Sequence, residues 1–224
     1  MTPGTVVALL AWGTLVGVDL VSVPQIMIAR PLVAATVAGW ILGDPVTGVT
    51  VGAVLELFAL EVLPVGAARY PDYGPAGVAA AVAAAGNDVL RGIGLAVAVG
   101  LVVAYVGELA IQQLRRVNSG VIQRRAIEID SGDVRVIRAV QFSGVARDAV
   151  RAALLTGFGL VVGGLARSWP PLGANGVALL DAVLLGAGIA SAAAGAVRGA
   201  GAHGGVRWVT VGVAAGSIVA VSLR

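Results

Sequence analysis

The sequence contains no cysteine, no lysine and a single histidine, His203, and these absences exclude several kinds of chemistry. Without cysteine there can be no disulfide framework, thiolate metal site or cysteine nucleophile. A single histidine excludes a multi-histidine metal site, and the lack of lysine excludes a Schiff base and the lysine of a P-loop. The composition therefore argues against an enzyme, and we expect no catalytic residue, metal or other cofactor.

Charged residues are also scarce, at 12% of the chain, whereas soluble domains contain about 25%. Apolar residues make up 58%, and the mean hydropathy is +0.95. Too few polar side chains remain to cover a surface that faces water. The arginines are not interleaved with aromatic residues, as they are in many nucleic-acid-binding surfaces. We therefore predict an all-α, polytopic protein of the lipid bilayer that does not bind nucleic acid.

The apolar residues fall into about six to eight segments. We place these at 4–23, 31–42, 46–63, 76–85, 89–114, 149–165, 177–197 and 208–223. A helix of a dozen residues is about 18 Å long and cannot cross a hydrocarbon core of about 30 Å. The segments at 31–42 and 76–85 are therefore either re-entrant or parts of longer helices. The glycine-rich stretch 195–205, which contains His203, is predicted to be a flexible loop.

A polar connection divides the chain into an N-terminal membrane region, 1–114, and a C-terminal one, 149–224. Residues 115–148 form this connection, and the arginines that concentrate there make it cytoplasmic by the positive-inside rule. Its helical periodicity predicts amphipathic helices that lie on the membrane surface.

Two carboxylates, Glu56 and Glu61, interrupt the apolar segment at 46–63. A charged side chain at the centre of a bilayer costs about 2.5 kcal/mol or more on insertion scales. Glu56 therefore either faces a polar solute path or forms a structural pair with Arg30 or Arg69. The two glutamates are five residues apart, about 140° around a helix, so their spacing does not make a catalytic carboxylate pair.

The stretch that follows, 64–75, cannot form a regular helix, because it has three prolines and two glycines in twelve residues. Its backbone groups are therefore free to bind a solute if protein or a water-filled cavity covers them. Arg69 and Asp72 add side chains that can form hydrogen bonds. The alternative is an exposed loop whose aromatic residues lie at the level of the lipid headgroups. Asp19, near the end of the first segment, is either interfacial or faces a polar cavity.

Three pieces of the first third of the chain carry a resemblance to a known family: RPLVAATVAGWILGD, then TG..VG...E...L, then GAARYPD. In this order and at this spacing they resemble the IIC membrane subunit of the mannose/fructose/sorbose family of the phosphoenolpyruvate-dependent sugar phosphotransferase system. The resemblance continues more weakly through residues 118–151 and into the following helix.

The resemblance implies a multi-pass protein of the bacterial inner membrane that forms a sugar path with a IID membrane subunit in an oligomeric assembly. It also implies separate soluble IIA and IIB proteins that carry the phosphate. Glu56 falls on the family's Gly-x-x-x-Glu carboxylate, and Gly66, Ala67 and Asp72 fall on its Gly-Ala…Pro-Asp loop. Together with the nearby polar residues these give the predicted substrate-binding set: Asp19, Gln25, Glu56, Gly66, Ala67, Arg69 and Asp72.

The sequence departs from the family pattern just before Pro31. Where the family has an Asp-Glu-x-Gln set, this chain has Pro24, Gln25 and Met27. Two alternatives therefore stay open beside sugar transport. One is a divergent IIC-like protein with a different polar solute or a regulatory role, and the other is a structural membrane subunit without a substrate path.

Overall fold

The structure is a computed structural model that describes residues 1–61, 68–86, 89–168 and 173–222, with side chains described as far as residue 198 except at 89–92. These parts of the chain form eight helices and no strands: α1 (Pro3–Val21), α2 (Pro31–Leu42), α3 (Pro45–Ala59), α4 (Tyr73–Ala84), α5 (Val89–Arg124), α6 (Ala126–Asp130), α7 (Val134–Arg167) and α8 (Ala174–Ser222). Four of them, α1, α5, α7 and α8, contain stretches long and apolar enough to cross a membrane. The predicted all-α, polytopic fold is confirmed.

The Leu-Gly-Asp-Pro turn between α2 and α3 has a direct structural explanation. Gly43 ends α2 in the left-handed conformation, with φ of 79°, which glycine adopts at little steric cost. The Asp44 carboxylate then accepts a hydrogen bond from the Thr47 amide at 3.2 Å, and Pro45 occupies the first position of α3. The two short helices therefore form an antiparallel hairpin.

Glycines allow the two helices of this hairpin to touch backbone to backbone. A Cβ placed on Gly48 would lie 2.5 Å from the Ala35 carbonyl oxygen, and one on Gly39 would lie 2.9 Å from the Gly48 Cα. No larger residue fits at such separations without moving a helix.

Helix α4 is the centre of the fold, and all its residues from Gly74 to Ala84 are buried. One face packs in a cluster with α3, α5 and α7 around Leu55 and Val103. The other packs with α1, α2 and α7 around Leu9 and Val16. Its Ala, Gly and Val composition follows from this position, because small side chains let helices approach from every direction.

Helices α5 and α7 both extend into the predicted polar connection, residues 115–148. That connection is helical, as predicted, but α5 continues without a break from the apolar region to Arg124, and α7 begins at Val134. Only α6 and two turns separate them. Gly132, with φ of 77°, makes the second turn, and the Asp133 carboxylate caps α7 by accepting from the Arg135 amide at 2.9 Å. The polar helices are therefore extensions of the long helices rather than separate surface helices.

The prediction of two separate C-terminal segments with a flexible loop around His203 is wrong. Helix α8 runs as one helix from Ala174 to Ser222 and includes the whole glycine-rich stretch. Glycine costs about 1 kcal/mol relative to alanine in a helix, and the alanines among these glycines favour the helical conformation. By contrast, the short segments at 31–42 and 76–85 do form short apolar helices.

Candidate functional site

The start of α2, the end of α3 and the start of α4 meet at one end of the helix bundle. Antiparallel packing brings Gly52 of α3 to the start of α2, where an added Cβ would lie 2.9 Å from the Pro31 carbonyl oxygen. A Cβ on Gly77 of α4 would lie 3.3 Å from the same oxygen. One helical turn beyond these glycines lie Glu56 of α3 and Tyr73 of α4, so both reach the level of Arg30.

Glu56 is paired with Arg30, one of the two partners that the sequence offered. The Arg30 Nε donates to Glu56 Oε1 at 2.6 Å, and a terminal guanidinium nitrogen donates to the same oxygen. The Leu32 amide, in the first turn of α2, donates to Oε2 at 3.2 Å. Both charged side chains remain 21% exposed, so a polar molecule could reach this pair without unfolding the protein.

Further polar side chains surround the pair. Helix α5 packs against residue 72, because a Cβ on Gly107 would lie 2.5 Å from the Asp72 Cβ, and Glu108 is the next residue. The Tyr73 hydroxyl lies within electrostatic range of Tyr105, Glu61, Arg30 and Glu108. We call Arg30, Glu56, Glu61, Tyr73 and Glu108 the helix-end cluster.

Glu61 connects the helix-end cluster to α8. Ser191 donates to its Oε2 at 2.6 Å, and Arg198 donates to its Oε1 at 2.9 Å. Arg198 thereby supplies a positive charge from α8 to this carboxylate. With three carboxylates and Arg30, the cluster has an excess of hydrogen-bond acceptors.

Asp72 immediately precedes Tyr73 in the chain and belongs to a buried network of charged side chains. Arg151 of α7 donates to Asp72 Oδ2 at 2.5 Å, to Asp148 Oδ1 at 2.8 Å and to the Gly17 carbonyl oxygen of α1 at 2.9 Å. Asp72 and Asp148 are fully buried, and Arg151 is 8% exposed. In this conformation the Asp72 carboxylate therefore contacts Arg151 and is inaccessible to a solute.

The remaining predicted site residues take different positions. Asp19 is 2% exposed and accepts hydrogen bonds from the Ile26 amide at 2.8 Å and the Ala29 amide at 3.2 Å, so it holds the turn before α2. Gln25 is exposed in that turn with φ of 60°. Arg69 is exposed and lies outside the helix-end cluster. Gly66 and Ala67 lie outside the described residues.

Sequence reasoning missed the roles of Arg151, Asp148 and Tyr73. It placed Asp148 in the polar connection and Arg151 at the start of the following apolar segment, and it treated Tyr73 as an aromatic of an irregular loop. One signal was available: Asp148 and Arg151 are three residues apart at the edge of an apolar helix, a spacing that places both on one face.

The comparisons with known proteins agree with this architecture. The family profile described as "PTS system sorbose-specific IIC component" matches residues 4–169, which is more than half of the chain. The chain belongs to this IIC family. The resemblance that the first third of the sequence predicted is thereby confirmed, and the protein is a multi-pass membrane protein.

Individual IIC relatives match at moderate identity. The "PTS system sorbose-specific EIIC component" of Lacticaseibacillus casei is 30% identical over 153 residues, covering 67% of this chain and 53% of that protein. The "Fructose permease IIC component" of Bacillus subtilis is 32% identical, covering 57% and 46%. The "PTS system mannose-specific EIIC component" of Escherichia coli K12 is 30% identical, covering 56% and 46%. The chain thus spans about half the length of the curated relatives that it matches.

Two solved structures share the fold. One, described as "Structure of membrane protein", has a TM-score of 0.74 and 22% identity and covers 100% of this chain and 92% of that one. The other is a chain of a complex of the mannose transporter ManYZ with microcin E492, with a TM-score of 0.61, 24% identity and coverage of 85% and 78%. These similarities extend the match beyond residue 169, into α8.

Proposed function

We propose that this IIC chain is the membrane subunit of a sugar phosphotransferase transporter in a bacterial inner membrane and that it forms the sugar path with a IID partner. Separate soluble IIA and IIB proteins would supply the phosphate, and the membrane subunits would assemble as an oligomer. The observation that carries the proposal is the helix-end cluster, where charged and hydroxyl side chains remain partly exposed among the ends of short apolar helices. Such helix ends offer polar groups within a membrane protein without exposing unpaired backbone to lipid.

Within this proposal, Glu56 and Arg30 bind the solute directly. A neutral sugar presents hydroxyl groups that donate and accept, and a carboxylate beside a guanidinium offers both kinds of partner. Gln25, Gly66, Ala67 and Arg69 are further candidates for contact in other states of the transport cycle. Asp19 and Asp72 support the site by holding the turn before α2 and the start of α4.

The test is hexose uptake in the source organism. The gene is deleted and then restored, and initial rates are measured for a panel of radiolabelled hexoses and amino sugars. We expect deletion to abolish uptake of at least one sugar and restoration to recover it, with the sugar arriving inside as its phosphate. If deletion changes the uptake of none of the sugars, the chain is not a sugar permease, and another solute or a structural role is favoured.

A further inference from the structure

Contacts with the protein core fix the position of the Tyr73 side chain. It is the first residue of α4, and the preceding residue, Asp72, is fixed by Arg151 and by a hydrogen bond of 2.9 Å from its amide to the Ala104 carbonyl oxygen. The Tyr73 side chain packs against the core cluster of α3, α4, α5 and α7. These contacts fix the phenol ring on the side of the helix-end cluster that faces the protein core.

The hydroxyl of Tyr73, by contrast, has no hydrogen-bond partner among the described residues. The ring is half-buried but the hydroxyl oxygen itself is not buried, so it remains open to a partner from outside the chain. Charges of both signs lie within electrostatic range, from Arg30 and from Glu61 and Glu108. This environment suits a ligand that offers hydroxyl groups, because a hydroxyl can donate to a carboxylate and accept from a guanidinium.

We infer that the Tyr73 hydroxyl contacts the transported solute, a neutral polyhydroxyl compound, and selects for one of its hydroxyl groups. This inference rests on the proposed function and deepens it, since it names a residue that determines specificity. The phenol can donate to one solute oxygen and accept from another, whereas Glu56 only accepts and Arg30 only donates. Tyr73 would therefore fix the orientation of the sugar relative to the Arg30–Glu56 pair.

The experiment measures uptake in source cells that carry Tyr73→Phe in place of the wild-type gene. The substrates are the transported hexose and each of its monodeoxy analogues. We expect the half-saturation concentration for the parent hexose to rise about five-fold, as for the loss of one neutral hydrogen bond. The wild type should discriminate against one particular deoxy analogue, and Tyr73→Phe should lose that discrimination, because the partner of the missing hydroxyl is gone.

The control is Thr14→Val, which also removes one hydroxyl group, since the Thr14 hydroxyl lies outside the helix-end cluster and donates to the Leu10 carbonyl oxygen of its own helix, α1, at 2.7 Å. It should leave all half-saturation values unchanged. Immunoblots of membranes show whether both variants accumulate normally, and Tyr73→Met provides a second removal of the hydroxyl.

Two outcomes would overturn the inference alone: unchanged half-saturation values in Tyr73→Phe, or weakening by the same factor for the parent and every analogue. If wild-type cells take up no neutral hexose through this chain, the proposed function fails instead, and the inference fails with it.

Discussion

At the residue scale, the buried network around Arg151 joins four parts of the fold. Its guanidinium binds the carbonyl of Gly17 in α1, Asp148 in α7 and Asp72 before α4, while the Asp72 amide bonds to α5. Ser22 donates to the second oxygen of Asp148 at 2.5 Å. The network therefore ties the start of α4, and with it Tyr73, to the long helices.

We expect Arg151→Met to destabilise the protein strongly, because two buried carboxylates would lose their counter-charge. Removing one partner of a buried ion pair typically costs about 3–5 kcal/mol. Arg151→Lys should rescue little, since a single ammonium group cannot reproduce the planar guanidinium that serves three acceptors. Thermal unfolding of the purified protein in detergent measures both effects.

The control for this prediction is Arg125→Met. Arg125 also pairs with a carboxylate three residues away, Glu128, but the two side chains are 52% and 51% exposed. Exposed pairs contribute about 1 kcal/mol or less. Equal unfolding temperatures for the two variants would show that the Arg151 network does not hold the fold together.

The sequence could predict some of these partners and not others. Arg30 was foreseeable as a partner of Glu56, because a carboxylate in an apolar segment needs a counter-charge and few arginines are available nearby. Arg151 and Asp72 are 79 residues apart, and their contact depends on how α4 and α7 pack. Residue type and spacing alone do not carry that information.

At the scale of elements, the α2–α3 hairpin depends on backbone contact at its glycines. We predict that Gly48→Ala destabilises the protein by about 1–3 kcal/mol, because the new methyl group would overlap the Ala35 carbonyl oxygen and force the helices apart. Gly164→Ala in α7 is the matched control, since a Cβ there meets no atom within 4 Å and alanine favours the helix. Thermal unfolding in detergent compares the two, and an equal effect would contradict the close packing of the hairpin.

Helix boundaries were predictable where a specific residue sets them. Pro31, Gly43 and Asp44 mark the ends of α2 and the start of α3 in both sequence and structure. Charge and glycine content predicted the ends of helices less well. Arginines did not end α5 at 114, since long charged side chains are well tolerated on a helix that leaves the membrane. Glycines did not break α8, because its alanine-rich composition compensates for them.

At the scale of the whole molecule, the packing of the helices predicts how the chain lies in the membrane. Helix α1 is antiparallel to α7, because Gly13 approaches Thr156 and Gly17 approaches Ala152. If the turns around α6 are cytoplasmic, as the positive-inside rule indicates, α1 starts on the opposite side. The helix-end cluster, near the level of Glu108 on α5, then lies toward the cytoplasmic end of the bundle.

The absence of cysteine makes this orientation directly testable. We expect Ser131→Cys, in the turn after α6, to react with a membrane-impermeant maleimide in inside-out vesicles but not in intact spheroplasts. Thr2→Cys, the N-cap of α1, should show the reverse pattern. The unmodified chain is a control that should not react at all. Labelling of both positions from the same side would contradict the antiparallel arrangement or the assigned orientation.

The most direct test of the helix-end cluster as the solute site is sugar uptake by Glu56→Gln in source cells, normalised to the amount of the chain in the membrane. We expect uptake to fall about ten-fold or more with normal accumulation, because a charge-assisted contact to the solute is lost. Glu128→Gln, in the exposed polar connection, should transport like the wild type. Wild-type uptake by Glu56→Gln at equal abundance, or failure of this variant to accumulate, would contradict the assignment; the second result would make the Arg30–Glu56 pair a structural contact.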